Sequence, residues 1–305
     1  MPQIFKVDKN YHNSRFDKWF KSNVAKIPQS LIQKLIRKNK IKVNKKKTLT
    51  SYRVQSGDLI EIYQKSEFKI NDIKKNKYLP SKKEASKYDD FIIENNENFV
   101  VLNKPSGIAV QGGTKSFKNI IDIIKKSQAF ENCIPYIVHR IDKDTSGLLL
   151  IAKNRKYAQL LTSLFRIRRI HKTYLAITHG VFPNKIDKLV DNLLIFEKNK
   201  KIIQKAITKV KVLKTHKNYS LLELKPITGR KHQLRKQLFS LGQPIYGDNK
   251  YKLSNSKKGL NKNLMLHSYQ IRFMIKDIKY TYTALLPDYF KKLLNIKRLN
   301  FSNLK

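Results

Sequence analysis

Val138 to Asn154 read VHRIDKDTSGLLLIAKN. The stretch has two halves. Leu148–Ala152 is an unbroken apolar run, too short for an ordinary helix and long enough for a strand covered on both faces. Ahead of it stand Arg140, Asp142 and Asp144, then Thr145, Ser146 and Gly147, residues with turn chemistry. A charged loop feeding a buried strand puts polar groups at the end of a sheet, where they can face a cleft. Asp142 is then either a reactive carboxylate or part of a surface Asx turn, and spacing alone leaves both open.

Working outward, strand candidates are Phe91–Ile93, Phe99–Leu102, Gly147–Ala152, Thr173–Thr178, Val210–Leu213, Tyr219–Lys225, Ser268–Ile275 and Lys279–Ala284. Helix candidates are Arg155–Ile167, Lys231–Leu241 and Asp288–Asn295. Many strands and few helices, without strict alternation, predict an α+β unit over 91–305 with a mixed sheet. A smaller α/β unit is expected over 11–63. In it Ser14 caps a helix bearing Phe16, Trp19 and Phe20, and Pro28 and Ser30 open a second with Leu31, Leu35 and Ile36 on one face. Short strands follow at Ile41–Asn44 and Leu59–Tyr63. The polar, lysine-rich stretch 64–90 reads as a linker, and Leu253–Asn263 as a solvent loop.

The chain has 305 residues, with 65 Lys+Arg against 22 Asp+Glu and a formal net charge of +43. Such a balance suits a polyanionic partner, since each cation that meets a phosphate releases a counterion. The abundance of Lys, Asn and Ile is also what an AT-rich coding sequence produces, so placement of the charge carries more meaning than its sum. The single cysteine, Cys133, excludes a disulfide framework and cysteine-based zinc. No apolar run approaches membrane-spanning length, and MPQIFKVDKN has no apolar signal core. The expectation is a cytoplasmic protein away from membranes.

A second cluster is ITGRKHQLRKQLFSLGQPIYGDNKY, Ile227–Tyr251. An arginine at the start of a helix beside a strand can reach a carboxylate elsewhere in the fold; a surface amphipathic helix is the plainer reading. Other chemistries fail. GGTKS at Gly112–Ser116 has Thr114 between Gly113 and Lys115, which spoils a phosphate loop. Lys143 and Arg140 make Asp142 and Asp144 a poor magnesium site. The histidines lack zinc-hydrolase spacing, and His139, His171 and His232 read as hydrogen-bonded structural residues. No metal ligand is predicted.

HRIDKDTSG closely resembles the H-R-L-D-x-x-T-S-G signature of the RluA-type pseudouridine synthases. KTYLAITHG (Lys172–Gly180) and TGRKHQLR with GQPIYGDNKY resemble that family's second and third motifs, in order, over about Phe91–Pro287. VLNKPSGIAVQGG (Val101–Gly113) is most similar to the branch acting on large-subunit ribosomal RNA known as C. The N-terminal SRFDKWFKSN, IPQSLIQKLIRKNKIKVN and SGDLIEI resemble the αL RNA-binding motif of a small-subunit ribosomal protein. The resemblance implies a pseudouridine synthase domain with a mixed, largely antiparallel sheet, an RNA-binding domain before it, and isomerisation of uridine in RNA without any cofactor. It implies Asp142 as the essential aspartate, Arg230 as the arginine paired with it, and Tyr174 as the pocket tyrosine, whose ring could stack on uracil or whose hydroxyl could take the C5 proton. Arg140 matches a side chain that fills the place of an extruded base, a simple phosphate contact being the alternative. Arg15, Lys18, Lys34, Arg37, Lys38, Lys42 and Asn44 of the αL-like unit are candidate RNA contacts. The expected partner is 23S ribosomal RNA or an assembling large subunit, met by a monomer. Transfer RNA, other ribosomal sites as in the D branch, and a non-catalytic assembly factor are the alternatives. Gln111 and Gln237 stand where the family often has His, which bears on substrate rather than activity.

Overall fold

The computed structural model describes residues 2–25, 27–63, 78–112, 118–197, 200–252 and 263–301. The chain divides into two units, Met1–Lys77 and Tyr78–Lys305.

The first unit contains β1 (Gln3–Lys6), β2 (Ser14–Arg15), α1 (Phe16–Asn23), α2 (Gln29–Arg37), β3 (Ile41–Val43), β4 (Arg53–Val54) and β5 (Leu59–Ile62). Strands order as β1-β5-β3, with β2 and β4 paired separately. Phe16, Trp19 and Phe20 of α1 pack with Ile32, Leu35 and Ile36 of α2 over Ile41 and Ile60. Ser14 does not cap α1. It sits in β2, and Arg15 precedes the helix with its guanidinium on Asp17 (2.7 and 3.1 Å). The unit also starts earlier than Tyr11, because β1 pairs with β5 from Gln3 to Lys6.

The second unit opens with α3 (Lys82–Asp89), inside the stretch read as linker. Ser81 accepts a hydrogen bond from the Glu84 amide, so Ser81-Lys82-Lys83-Glu84 is a helix start hidden among lysines. Ala85 is buried against Ile123, Ile124 and Phe130. The predicted linker thus contains a helix over its last third; residues 64–77, like 113–117 and most of the predicted loop at 253–263, lie outside the described residues.

There follow β6 (Ile92–Asn95), β7 (Phe99–Lys104), α4 (Ile120–Ile124), β8 (Tyr136–Ile137), β9 (Ser146–Ala152), α5 (Arg155–Arg166), β10 (His171–His179), β11 (Lys188–Glu197), β12 (Lys200–His216), β13 (Tyr219–Pro226), α6 (Gln233–Ser240), β14 (Leu266–Ile275), β15 (Ile278–Thr283) and α7 (Asp288–Ile296). The sheet runs β11-β12-β13-β10-β14-β9-β7-β6, with β15 on β14 and β8 on β9. All its pairings are antiparallel except β14 with β9. The mixed, largely antiparallel sheet is thus as expected. The β11–β12 hairpin extends well beyond the predicted Val210–Leu213, pairing from Lys188 with Lys209 to Glu197 with Lys200.

Strand β9 explains its own composition. Leu149 and Ile151 enter the core beneath α4, and Leu148 and Leu150 the core beneath α5. With both faces covered, neither set can be polar. At its head, Gly147 has φ +103° and lies so close to β14 that a Cβ would overlap the Ser268 backbone. Gly147→Ala is expected to destabilise the chain by about 3 kcal/mol or more, through strain and overpacking together. A urea titration reads this; an unchanged midpoint would contradict it.

Candidate active site

The loop between β8 and β9 carries Asp142, and three devices hold it. Thr145 N–H donates to the Asp142 carbonyl at 3.2 Å, closing the turn. Lys104, at the end of β7 and fully buried, donates from Nζ to the carbonyls of Lys143 (3.1 Å), Pro105 (2.8 Å) and Ile108 (2.9 Å). Gly107 N–H reaches the same Lys143 carbonyl, and Ser106 Oγ donates to the Asp144 carbonyl at 2.6 Å. The Lys104-Pro-Ser-Gly107 segment, read from sequence only as part of a family motif, is therefore the mount of the aspartate loop. Burial pulls the Lys104 amine down to about 7, with Asp144 and Asp142 opposing. On the other side, His139 Nε2 accepts from Leu150 N–H (2.8 Å) and its ring stacks on Phe165 at 4.4 Å. Burial holds that imidazole down to about 3, so it is neutral. The structural reading of His139 is the one these contacts support.

Asp142 opens onto a cavity of about 590 Å³, whose lining includes Lys172, Tyr174, Arg230, His232 and Arg235. A volume of this order accommodates a nucleoside-sized group. Tyr174 comes from β10, 9% exposed, and burial pushes its phenol up to about 12. Lys172, two residues earlier on the same strand face, lines the cavity too, and burial lowers its amine.

The arginine facing Asp142 is not the predicted one. Arg230 precedes α6 in a turn and donates from Nε to the Lys205 carbonyl at 3.3 Å. Arg235, on the first turn of α6, places Nη1 3.6 Å from Asp142 Oδ2. The register error has a local cause: the helix starts at Gln233 rather than Lys231, after His232 at φ +54°. A buried polar set pins that start. Gln233 accepts from Thr228 Oγ1 (2.7 Å) and donates to Thr208 Oγ1 (2.9 Å), and Gln237 accepts from Thr208 (2.6 Å) and donates to Asp191 (2.7 Å). Gln237, noted as a departure in the third motif, therefore fastens α6 to the β11–β12 hairpin.

Arg235 is held from behind by Asp248, with Nε and Nη2 on its two carboxylate oxygens at 2.7 and 2.8 Å. Burial alone would lower the Arg235 guanidinium; the hydrogen bond and charge of Asp248 outweigh it and the net direction is up. The Asp248 carboxyl is correspondingly held low against its own burial. A bidentate pair leaves Arg235 little freedom. Facing Asp142 at 3.6 Å it lies beyond hydrogen-bond distance, so it supplies field without occupying the carboxylate's lone pairs. An arginine one helical step beyond an apolar stripe, with an aspartate in the following turn, was the signal for this pair.

Arg140 is exposed at the cavity wall. In the first unit Lys18, Lys34, Arg37 and Lys38 are exposed. Lys42 lies over the Tyr63 ring at 5.1 Å. Asn44 spends its amide internally, donating to Asp58 and accepting from Leu59 N–H, both at 2.8 Å, which ties down a turn at φ +49°. Arg15 and Asn44 thus have structural partners where RNA contacts were expected.

The family model described as RNA pseudouridylate synthase matches residues 98–240. Ribosomal large subunit pseudouridine synthase C of Vibrio vulnificus is 32% identical over 89% of this chain and 88% of its own length. The protein of that name from Rickettsia bellii is 35% identical over 92% and 96%. The chain belongs to the RluA-type RNA pseudouridine synthases. Among solved structures, human RNA pseudouridylate synthase domain containing 4 superposes with a TM-score of 0.60 at 28% identity, covering 71% of this chain and 96% of that one.

Proposed function

We propose that this protein isomerises uridine to pseudouridine in large-subunit ribosomal RNA, acting in the cytoplasm as a monomer, with Asp142 as the reacting carboxylate. The C1′–N1 bond breaks, the uracil turns within the cavity, C1′ bonds to C5, and the C5 hydrogen is lost as N1 gains one. Atoms and electrons balance without a co-reactant. The observation that carries this reading is the carboxylate of Asp142 at the wall of a nucleoside-sized cavity, faced by Arg235 and beside Tyr174. A phenol held near 12 is a hydrogen-bond donor at neutral pH, which favours stacking by Tyr174 over proton abstraction. Arg235 takes the pairing role expected of Arg230, and Arg230 is left as a contact for the RNA backbone. Arg140, exposed on the same loop as Asp142, enters in this reading the space an extruded uridine leaves, a role its exposure supports. The ribosomal substrate is supported by the relatives named above and by the αL-like unit.

The test is incubation of the purified chain, without metal or nucleotide, with unmodified 23S ribosomal RNA, followed by chemical mapping of pseudouridine. Discrete sites support the reading. Sites only in transfer RNA would overturn the substrate, and none in either RNA or in ribosomal particles would overturn the activity.

Exposed cations on the first unit should add phosphate contacts. Replacing Lys18, Lys34, Arg37 and Lys38 together by Gln is expected to weaken RNA binding and flatten its salt dependence by up to about 3 in the log–log slope. An unchanged slope would make these four charges mere solvation.

A further inference from the structure

One group faces each oxygen of Asp142. Arg235 Nη1 stands 3.6 Å from Oδ2, and His232 Nε2 stands 3.7 Å from Oδ1. Asp248 accounts for the placement of Arg235. The placement of His232 is accounted for by Tyr251, which sits behind it and outside the cavity lining. The Tyr251 hydroxyl is 3.0 Å from His232 Nδ1. Its ring is edge-on to the imidazole, 85° at 5.7 Å, and 5.2 Å from the Arg235 guanidinium. Its backbone N–H donates to Asp248 Oδ1 at 2.9 Å, the oxygen that also accepts from Arg235 Nη2. One tyrosine at the end of the GDNKY turn therefore touches both groups that face the carboxylate.

An imidazole between a phenol and a carboxylate has a preferred tautomer. A ring lone pair aimed at a carboxylate is repelled, whereas an N–H is attracted. The phenol can donate to Nδ1, which leaves the ring proton on Nε2, toward Asp142. The neutral ring is favoured: burial lowers the imidazole most, Asp142 opposes, and Arg235, Lys250 and Lys231 lower it further.

We propose that Tyr251 and His232 form a second support for the reacting carboxylate, in which the Tyr251 hydroxyl donates to His232 Nδ1 and the His232 Nε2–H holds Asp142 Oδ1 in the orientation the ribose meets. His232 is a positioning residue, and Tyr251 positions it in turn. At 3.7 Å the N–H steers without forming a full hydrogen bond, so the carboxylate keeps its lone pairs for the substrate. This inference rests on Asp142 being the reacting group.

The test compares full-length wild type, His232→Phe, His232→Gln, Tyr251→Phe and Asp142→Asn on the same ribosomal RNA, with kcat, KM and thermal melting for each. His232→Phe keeps a flat ring but has no donor, and is expected to lose roughly 100-fold in kcat with KM nearly unchanged. His232→Gln puts an amide N–H near the place of Nε2 and is expected to recover about tenfold of that loss. Tyr251→Phe leaves the imidazole in place but frees its tautomer, and should lose about tenfold in kcat. Wild-type kcat in His232→Phe, equal impairment in the Gln and Phe variants, or a loss confined to KM would overturn the proposal. Should His232→Phe fail to fold, folded Tyr251→Phe decides: full kcat there overturns it. An active Asp142→Asn or an inactive wild type would instead overturn the functional reading beneath it.

Discussion

Asp142→Asn is expected to abolish pseudouridine formation, by roughly 10⁴-fold or more in rate, while RNA affinity stays within about twofold. The amide keeps the size and planarity of the carboxylate but cannot attack carbon or take a proton from the sugar. Its surroundings change little in energy. Arg235 remains paired with Asp248, and neither Arg235 nor His232 is within hydrogen-bond distance of Asp142. Melting temperature should therefore hold. Single-turnover conversion of 23S ribosomal RNA and a filter-binding isotherm separate the two effects. Product formed at a substantial fraction of the wild-type rate would remove Asp142 from the chemistry.

Lys104→Met should produce the largest loss of stability. The methionine fills most of the volume but supplies no donor to the carbonyls of Lys143, Pro105 and Ile108. The buried Ile108 carbonyl and the half-buried Pro105 carbonyl lose this donor, the Lys143 carbonyl keeps only Gly107 N–H, and the expected destabilisation is about 3–5 kcal/mol. Activity should fall further than stability explains, because the Lys143 carbonyl is part of the turn that presents Asp142. A pH series gives a second readout. The folded value of Lys104 is about 7, below its ordinary 10.5, so between those limits the unfolded chain binds more protons. The stability of wild type relative to Lys104→Met should accordingly rise as pH climbs from 7 towards 10, and the burial cost of the ammonium is complete below 7. A difference independent of pH over that window would mean that Lys104 titrates normally.

Much of the fold was legible because its strongest signals are local. Gly147–Ala152, Arg155–Ile167 and Tyr219–Lys225 announce themselves by apolar run or period, and each lies within a residue of the observed element. Helix α3 was lost because lysines fill much of its exposed surface, so that polarity imitates a linker. In the site, Asp142 and Tyr174 were recoverable because a motif carries them. Arg235, His232 and Asp248 were not, since their roles depend on where α6 begins. That start is set by Thr228, close by in sequence, together with Thr208 and Asp191, which the sheet brings to Gln233 and Gln237. Lys104 escaped notice for a related reason. A lysine beside a Pro-Ser-Gly turn looks solvated until the chain returns over it.

The parallel seam between β9 and β14 has a consequence for biosynthesis. Ser146 opposes His267 and Gly147 opposes Ser268, and the Ser146 hydroxyl also meets Tyr289 of α7. The aspartate loop thus leaves the ribosome long before the strand and helix that lock its far end. Contacts of such sequence separation close slowly and late. A nascent chain halted before Leu266 would hold the Asp142 motif on an uncovered strand edge, open to the wrong partner. The turn that presents Asp142 is therefore complete only once β14, 121 residues beyond Ser146 at His267, has been made and docked.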